Sequence, residues 1–133
     1  MLRMMLEKKL EQALTTILSE HTALTVLLGR QGNFDRIATG VLREVKDKYK
    51  GLTWYIVLEN LPYKENNTEE TILPEGIETV FPRFAIKWRN RWMVDNSDIV
   101  IVYMTRSTGG TAQLAKYARS QGKRMVNLAE ELP

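Results

Sequence analysis

The chain has 133 residues, 44% of them hydrophobic and 26% charged, which suits one domain, 1–133, built on one core. It has no cysteine, so disulfides and thiolate chemistry are excluded; its single histidine, His21, has no partners at zinc-ligand spacing, so no metal is expected. The net charge of +3 is uneven: residues 1–80 carry 10 basic and 12 acidic side chains, residues 81–133 carry 9 and 4, which reads as an anion site in the C-terminal part or as scattered solvated lysine and arginine.

Residues 2–18 predict an amphipathic helix, with Leu2, Met5, Leu6, Leu10, Ala13, Leu14, Ile17 and Leu18 at three- and four-residue spacing. Lys8 and Lys9 interrupt its apolar residues, so it does not read as a signal peptide. No apolar run approaches the roughly 20 residues of a membrane span, and a cytoplasmic location without a membrane partner is expected. Residues 22–28 predict a strand. After the turn Gly29-Arg30-Gln31-Gly32-Asn33 a second helix is expected, with Asn33 as N-cap, Asp35 in its first turn, and Phe34, Ile37, Ala38, Val41, Leu42 and Val45 on one face. Gly51 closes a polar run, and residues 53–58 predict the next strand.

Residues 60–81 are the least regular stretch, read either as a functional lid or as a solvated loop. Pro82 suits the first turn of a third helix reaching to about Asn96. Ile99-Val100-Ile101-Val102, within a strand over 98–104, is a continuous apolar run of the kind found in strands buried on both faces. A fourth helix over 110–121, with Leu114, Ala115 and Ala118 inward and Gly122 at its C-terminal cap, precedes a last strand over 124–128. This alternation predicts an α/β fold: a Rossmann-like three-layer αβα sandwich with a mainly parallel sheet of about four strands. Ligands of such sheets lie at the carboxyl ends of the strands. Gly29, Gln31, Gly32, Glu59, Arg106 and Gly109-Gly110-Thr111 are therefore expected to converge.

Ser107-Thr108-Gly109-Gly110-Thr111 combines glycines that let backbone approach a phosphate with hydroxyl donors at a helix start, where free N–H groups and the helix dipole favour an anion. The same sequence also serves as a plain structural turn. Arg89-Asn90-Arg91 offers guanidinium groups for phosphate and an amide for base or ribose. Arg89 and Arg91 point in different directions on a helix, so both are not expected in one pocket; alternatively one is a surface charge and the other pairs with Asp95 or Asp98. Trp88 and Trp92, at i and i+4, read as core more readily than as a stacking platform. Gln31 and Asp35 read as ribose ligands, or else Asn33 and Asp35 only start the helix. Glu59, after a strand, reads as a solvated carboxylate or as a general base. His21 reads as structural or exposed. No nucleic-acid motif is present, and a nucleic-acid partner is not expected.

The runs Gly29-Arg30-Gln31-Gly32-Asn33-Phe34-Asp35, Leu73-Pro74-Glu75-Gly76-Ile77-Glu78, Pro82-Arg83-Phe84-Ala85-Ile86 with Arg89-Asn90-Arg91-Trp92-Met93, and Gly109-Gly110-Thr111-Ala112 resemble, in order, the bacterial DUF1273-type proteins of the SLOG (Smf/DprA–LOG) superfamily. The resemblance implies a Rossmann-like fold that binds a nucleotide or nucleotide-derived small molecule, with no resident cofactor. Its ligand contacts would be Gly29, Gln31, Gly32, Asp35, Arg89, Asn90, Arg106, Ser107, Gly109, Gly110 and Thr111. Relatives of that kind begin with a strand ending in Gly-His-Arg, whereas this chain opens at the following helix. The open sheet position implies that the neighbouring strands pair directly or that a second chain supplies the missing edge, and a homo-oligomer, a dimer or higher, is expected. LOG-type phosphoribohydrolases carry a glutamate after the glycines. The matching stretch here is Ala112-Gln113-Leu114-Ala115-Lys116, with no carboxylate, so the resemblance implies binding rather than catalysis. Glu59 is the one candidate for a substitute base in a nucleoside monophosphate N-glycosidase, and an interaction module is the remaining expectation.

Overall fold

In the computed structural model the amphipathic stripe at the N-terminus becomes helix α1, Leu2–Glu20, which buries Leu6, Leu10, Ala13, Leu14 and Ile17. The structure describes residues 2–60 and 70–130. Met5, expected on the buried stripe, is 40% exposed. It lies in the first turn of α1, where Arg3 and Glu7 form an exposed i,i+4 pair at 3.0 Å. The described residues gather into two compact units, 2–56 with 70–72, and 57–60 with 73–130.

The first unit is one βαβ motif with α1 added. Strand β1 is Leu24–Leu28, helix α2 is Gly32–Val45, and strand β2 is Leu52–Val57. β1 and β2 pair in parallel from Leu24↔Leu52 to Leu28↔Ile56, and the exposed hydroxyls of Thr25 and Thr53 meet across the pair at 3.2 Å. Val41, Leu42 and Val45 are buried on α2, as the periodicity predicts. A short strand β3, Thr71–Ile72, joins this sheet in the order β1-β2-β3. It was not expected, because two residues are too few to show a period. The Ile56 N–H donates to the Glu70 carbonyl at 3.0 Å beside it. Residues 61–69, the centre of the segment read as a lid or a solvated loop, lie outside the described residues.

The second unit repeats the motif. Short 3₁₀ turns at Ile77–Thr79 and Pro82–Phe84 lead into helix α3, Ala85–Asp95. Strand β4, Ile99–Val102, helix α4, Gly110–Ser120, and strand β5, Arg124–Asn127, follow. β4 and β5 pair in parallel from Ile99↔Arg124 to Val102↔Asn127. Val94, Val100, Val102 and Ala118 form the core of this unit, with Met104, Leu114, Tyr117 and Met125 packed against it. Gly122 ends α4 as predicted: its φ is +71°, its N–H donates to Arg119 O at 3.0 Å, and the Lys123 N–H donates to Ala118 O at 3.1 Å. That pair of bonds satisfies carbonyls a helix end leaves open.

The fold is therefore α/β, Rossmann-like in its βαβ units, with parallel pairing of β1–β2 and of β4–β5. Among the described residues the strands group as β1-β2-β3 and as β4-β5. Each crossover helix brings its own flanking strands together, the neighbours that sequential elements most often become. Contrary to expectation, β4 is not buried on both faces: Val100 and Val102 are buried while Ile99 and Ile101 are partly exposed, the alternation of a strand with one core-facing side. Among the described residues no helix is long and apolar enough to cross a membrane.

Candidate functional site

The turn from β4 to α4 is held at its start by a side chain that the sequence reading overlooked. Asn127, at the end of β5, donates from Nδ2 to the Met104 carbonyl at 3.0 Å. Its Oδ1 accepts from the Met104 and Ala129 N–H groups, each at 3.0 Å. Donor and acceptor of one amide thus clamp the backbone of Met104 where β4 gives way to the loop. An asparagine at a strand end reads only as a polar residue in sequence, so nothing signalled this clamp.

Beyond Met104 the loop turns on Gly109, with φ +100° and ψ −176°, a conformation essentially reserved for glycine. Gly109 is the N-cap of α4, and its carbonyl accepts the Gln113 N–H at 3.0 Å. The first turn of α4 contains no acidic residue. No N-cap side chain bonds its leading N–H groups, which carry the positive end of the helix dipole. Tyr103, Met104, Thr105, Arg106, Thr108, Gly110 and Thr111 line an open cavity of about 140 Å³ here. Arg106, Thr108 and Thr111 are exposed and supply a cation and two hydroxyls, and Ser107 and Gly109 lie in the same exposed loop. Of the expected site residues in the second unit, Arg106, Gly110 and Thr111 thus line the cavity and Ser107 and Gly109 lie in the same loop, by virtue of local chain geometry alone.

Arg89 has a different surrounding from the one expected. It is 1% exposed, on the side of α3 that also buries Ala85. Its Nη1 donates to the Val57 carbonyl at 2.8 Å and approaches Glu59 Oε2 at 3.4 Å, and its Nε donates to Asn90 Oδ1 at 2.9 Å. Glu59 is itself 8% exposed, so the carboxylate read as solvated or as a base is half of a buried ion pair. Arg89, Asn90 and Glu59 form a structural cluster within the second unit, and the cavity lining does not include them.

Arg91 stays at the surface, its guanidinium 4.9 Å from the centre of the Tyr117 ring, while the Tyr117 hydroxyl donates to Asp95 at 2.6 Å. That hydrogen bond raises the Tyr117 phenol above its ordinary value of 10.0, burial and the Asp95 charge add to the rise, and Arg91 opposes it. A raised phenol pKa favours the protonated, folded form, so this contribution is present below about pH 10 and is lost as pH climbs through the folded value. Tyrosinate absorbance should show one residue titrating late; the late component should vanish in Tyr117→Phe and shift downward in Asp95→Asn.

In the first unit Gly29 is buried and the α2 start differs from the predicted one. Gln31, extended at φ −105°, is the N-cap in place of Asn33, and Gly32 follows at φ +82°. The Asp35 carboxylate reaches back to accept the Gln31 N–H at 2.9 Å, while the Gln31 side chain itself makes no capping bond. Asp35 thus performs the helix-start task that was one of its two readings. His21 is exposed at the end of α1. Among the described residues no three histidine or carboxylate side chains gather as a metal site would need. No protein-family model matches the chain, and no curated protein matches it.

Proposed function

We propose that this protein is a SLOG-type domain that binds a nucleotide or nucleotide-derived ligand as a cytoplasmic sensor or regulatory module. The observation that carries the reading is the β4–α4 turn: a glycine-only N-cap, an acid-free helix start, and Arg106, Thr108 and Thr111 around one cavity. Backbone N–H groups and hydroxyls would hold a phosphate there, and Arg106 would neutralise its charge. The cavity is smaller than the ~300–1,000 Å³ of pockets that engulf a whole ligand, so it suits a phosphate-bearing end with the base outside it. Binding is favoured over glycosidic cleavage because Glu59, the one candidate base, is buried against Arg89.

Gly110→Asp tests the site cleanly. A side chain at Gly110 meets nothing within 4 Å, and a carboxylate at a helix N-terminus favours the helix. The same charge opposes a phosphate. Native mass spectrometry and calorimetry with a nucleotide panel should show an intact nucleotide bound to the wild type. The variant should bind it at least about tenfold more weakly, a loss near 1.4 kcal/mol, with an undiminished melting temperature. Unchanged affinity in Gly110→Asp would remove this turn as the site, and released free base would replace the sensor reading with the enzymatic one.

A further inference from the structure

The loop that follows β4 has no hydrogen bonds of its own. Among the described residues, Thr105, Arg106, Ser107 and Thr108 make none, through backbone or side chain. Its course is therefore set at its two ends. At the far end Gly109 caps α4 and accepts the Gln113 N–H. At the near end stands Met104, which lines the cavity and packs against the core of the second unit.

The pairing of β4 with β5 stops at Val102↔Asn127, short of Met104. The Met104 N–H and carbonyl are nonetheless both satisfied, each at 3.0 Å, by the one amide of Asn127. Continued pairing would have supplied backbone partners and carried the strand straight on. A side chain satisfies the same two groups and leaves the chain beyond them to turn. The Asn127 Oδ1 also accepts the Ala129 N–H at 3.0 Å, so both of its lone pairs are used. A side chain with only donors or only acceptors cannot hold Met104 in this way. Ionised aspartate has the same shape but only accepts, and would set an oxygen against the Met104 carbonyl.

We propose that Asn127 is the positioning residue of the anion site. It is not among the residues that line the cavity, and it acts through Met104. By fixing the backbone of Met104 it fixes where the unbonded loop departs, and so brings Arg106 and Thr108 to the start of α4 beside Thr111. Through Ala129 it ties the turn after β5 to the same point. This role rests on the ligand reading of the β4–α4 turn. Binding and clamp are then linked: a ligand that needs the clamp closed holds it closed.

NMR titration of the full chain with inorganic pyrophosphate and with ADP tests it, read at the Gly110 and Thr111 amides. In the wild type these amides should shift saturably with at least one probe, and Gly110→Asp should bind that probe at least about tenfold more weakly. Failure of either removes the site, and the role of Asn127 with it. With the site in place, Asn127→Ala and Asn127→Asp should each bind at least about tenfold more weakly at pH 7. In Asn127→Asp alone, affinity relative to wild type at the same pH should recover as pH falls toward the ordinary carboxyl value of about 4. A protonated carboxyl again offers one donor and one acceptor. Val94→Ala, a core truncation in the same unit, should melt earlier and keep its affinity, because lower stability alone leaves the binding of the folded protein unchanged. A smaller loss in either Asn127 variant, or no recovery of Asn127→Asp in acid, overturns the positioning role and leaves the site standing. Should these variants not fold, hydrogen exchange in the wild type decides. A probe at ten times its dissociation constant should slow the Ala129 N–H about tenfold and the Lys123 N–H, at the far end of α4, by less. Equal protection of the two would overturn the role.

Discussion

Arg89→Met should destabilise the second unit by about 3–5 kcal/mol, because it leaves the Glu59 carboxylate buried without its cation. The substitution also removes the donor to the Val57 carbonyl and the Nε bond to Asn90. Methionine has nearly the length of the arginine stem, so packing loss is small and most of the effect is electrostatic. Glu59→Leu added to Arg89→Met should restore a large part of the loss, since an apolar pair of similar volume replaces a desolvated ion pair at little net cost. Arg89→Lys should fall between the two: one ammonium on a flexible stem cannot reproduce a fork that serves three acceptors. Because the chain has two compact units, the measurement should be hydrogen exchange resolved by segment, read in α3 and β5, rather than one global transition. A loss below about 1 kcal/mol would show that the pair behaves as an exposed one.

Arg89 also shows where the sequence stops being readable. Its position was informative: Ala85, Arg89 and Trp92 share a helical stripe, and a charged residue on an apolar stripe is a signal of burial with a partner. The partner lies 30 residues upstream at Glu59, a separation no local pattern spans. The β4–α4 turn is the opposite case. Its chemistry is contained in Gly109, Gly110 and the flanking hydroxyls, because only glycine takes the conformation found at Gly109, and the order strand, glycine turn, helix is written in consecutive residues. Elements with a long period were legible for the same reason: α1, α2 and α4 follow their apolar stripes to within two residues of the expected ends. What the sequence left open were matters of partner choice. A run such as Ile99-Val100-Ile101-Val102 reads the same whether one side of the strand or both are covered. Whether the strands form one sheet or two likewise depends on contacts between distant segments.

Gly51→Ala should cost the first unit about 2–4 kcal/mol, a sum of two physical terms. Gly51 sits at φ +85°, where an L side chain is strained by about 1–2 kcal/mol. A Cβ there would also stand 2.5 Å from the Thr22 carbonyl oxygen and 3.4 Å from the Ala23 Cα, both backbone atoms that cannot swing aside. The chain can relieve the clash only by moving Thr22 away from Gly51. The Gly51 carbonyl accepts the Leu24 N–H at 2.8 Å, and the Leu24↔Leu52 pair opens the parallel register of β1 and β2, so that movement strains the start of the sheet. Gly40→Ala is the matched control in the same unit. Gly40 lies inside α2 with no atom within 4 Å of an added Cβ and without a positive φ. Alanine there should stabilise by about 0.5–1 kcal/mol through helix propensity. Opposite signs at these two glycines, read by hydrogen exchange in β1 and α2, would show that the turn at Gly51 sets the register of the sheet. Equal and small effects would mean that residues 22 and 51 give way freely, and that the register rests on the side chains of β1 and β2 instead.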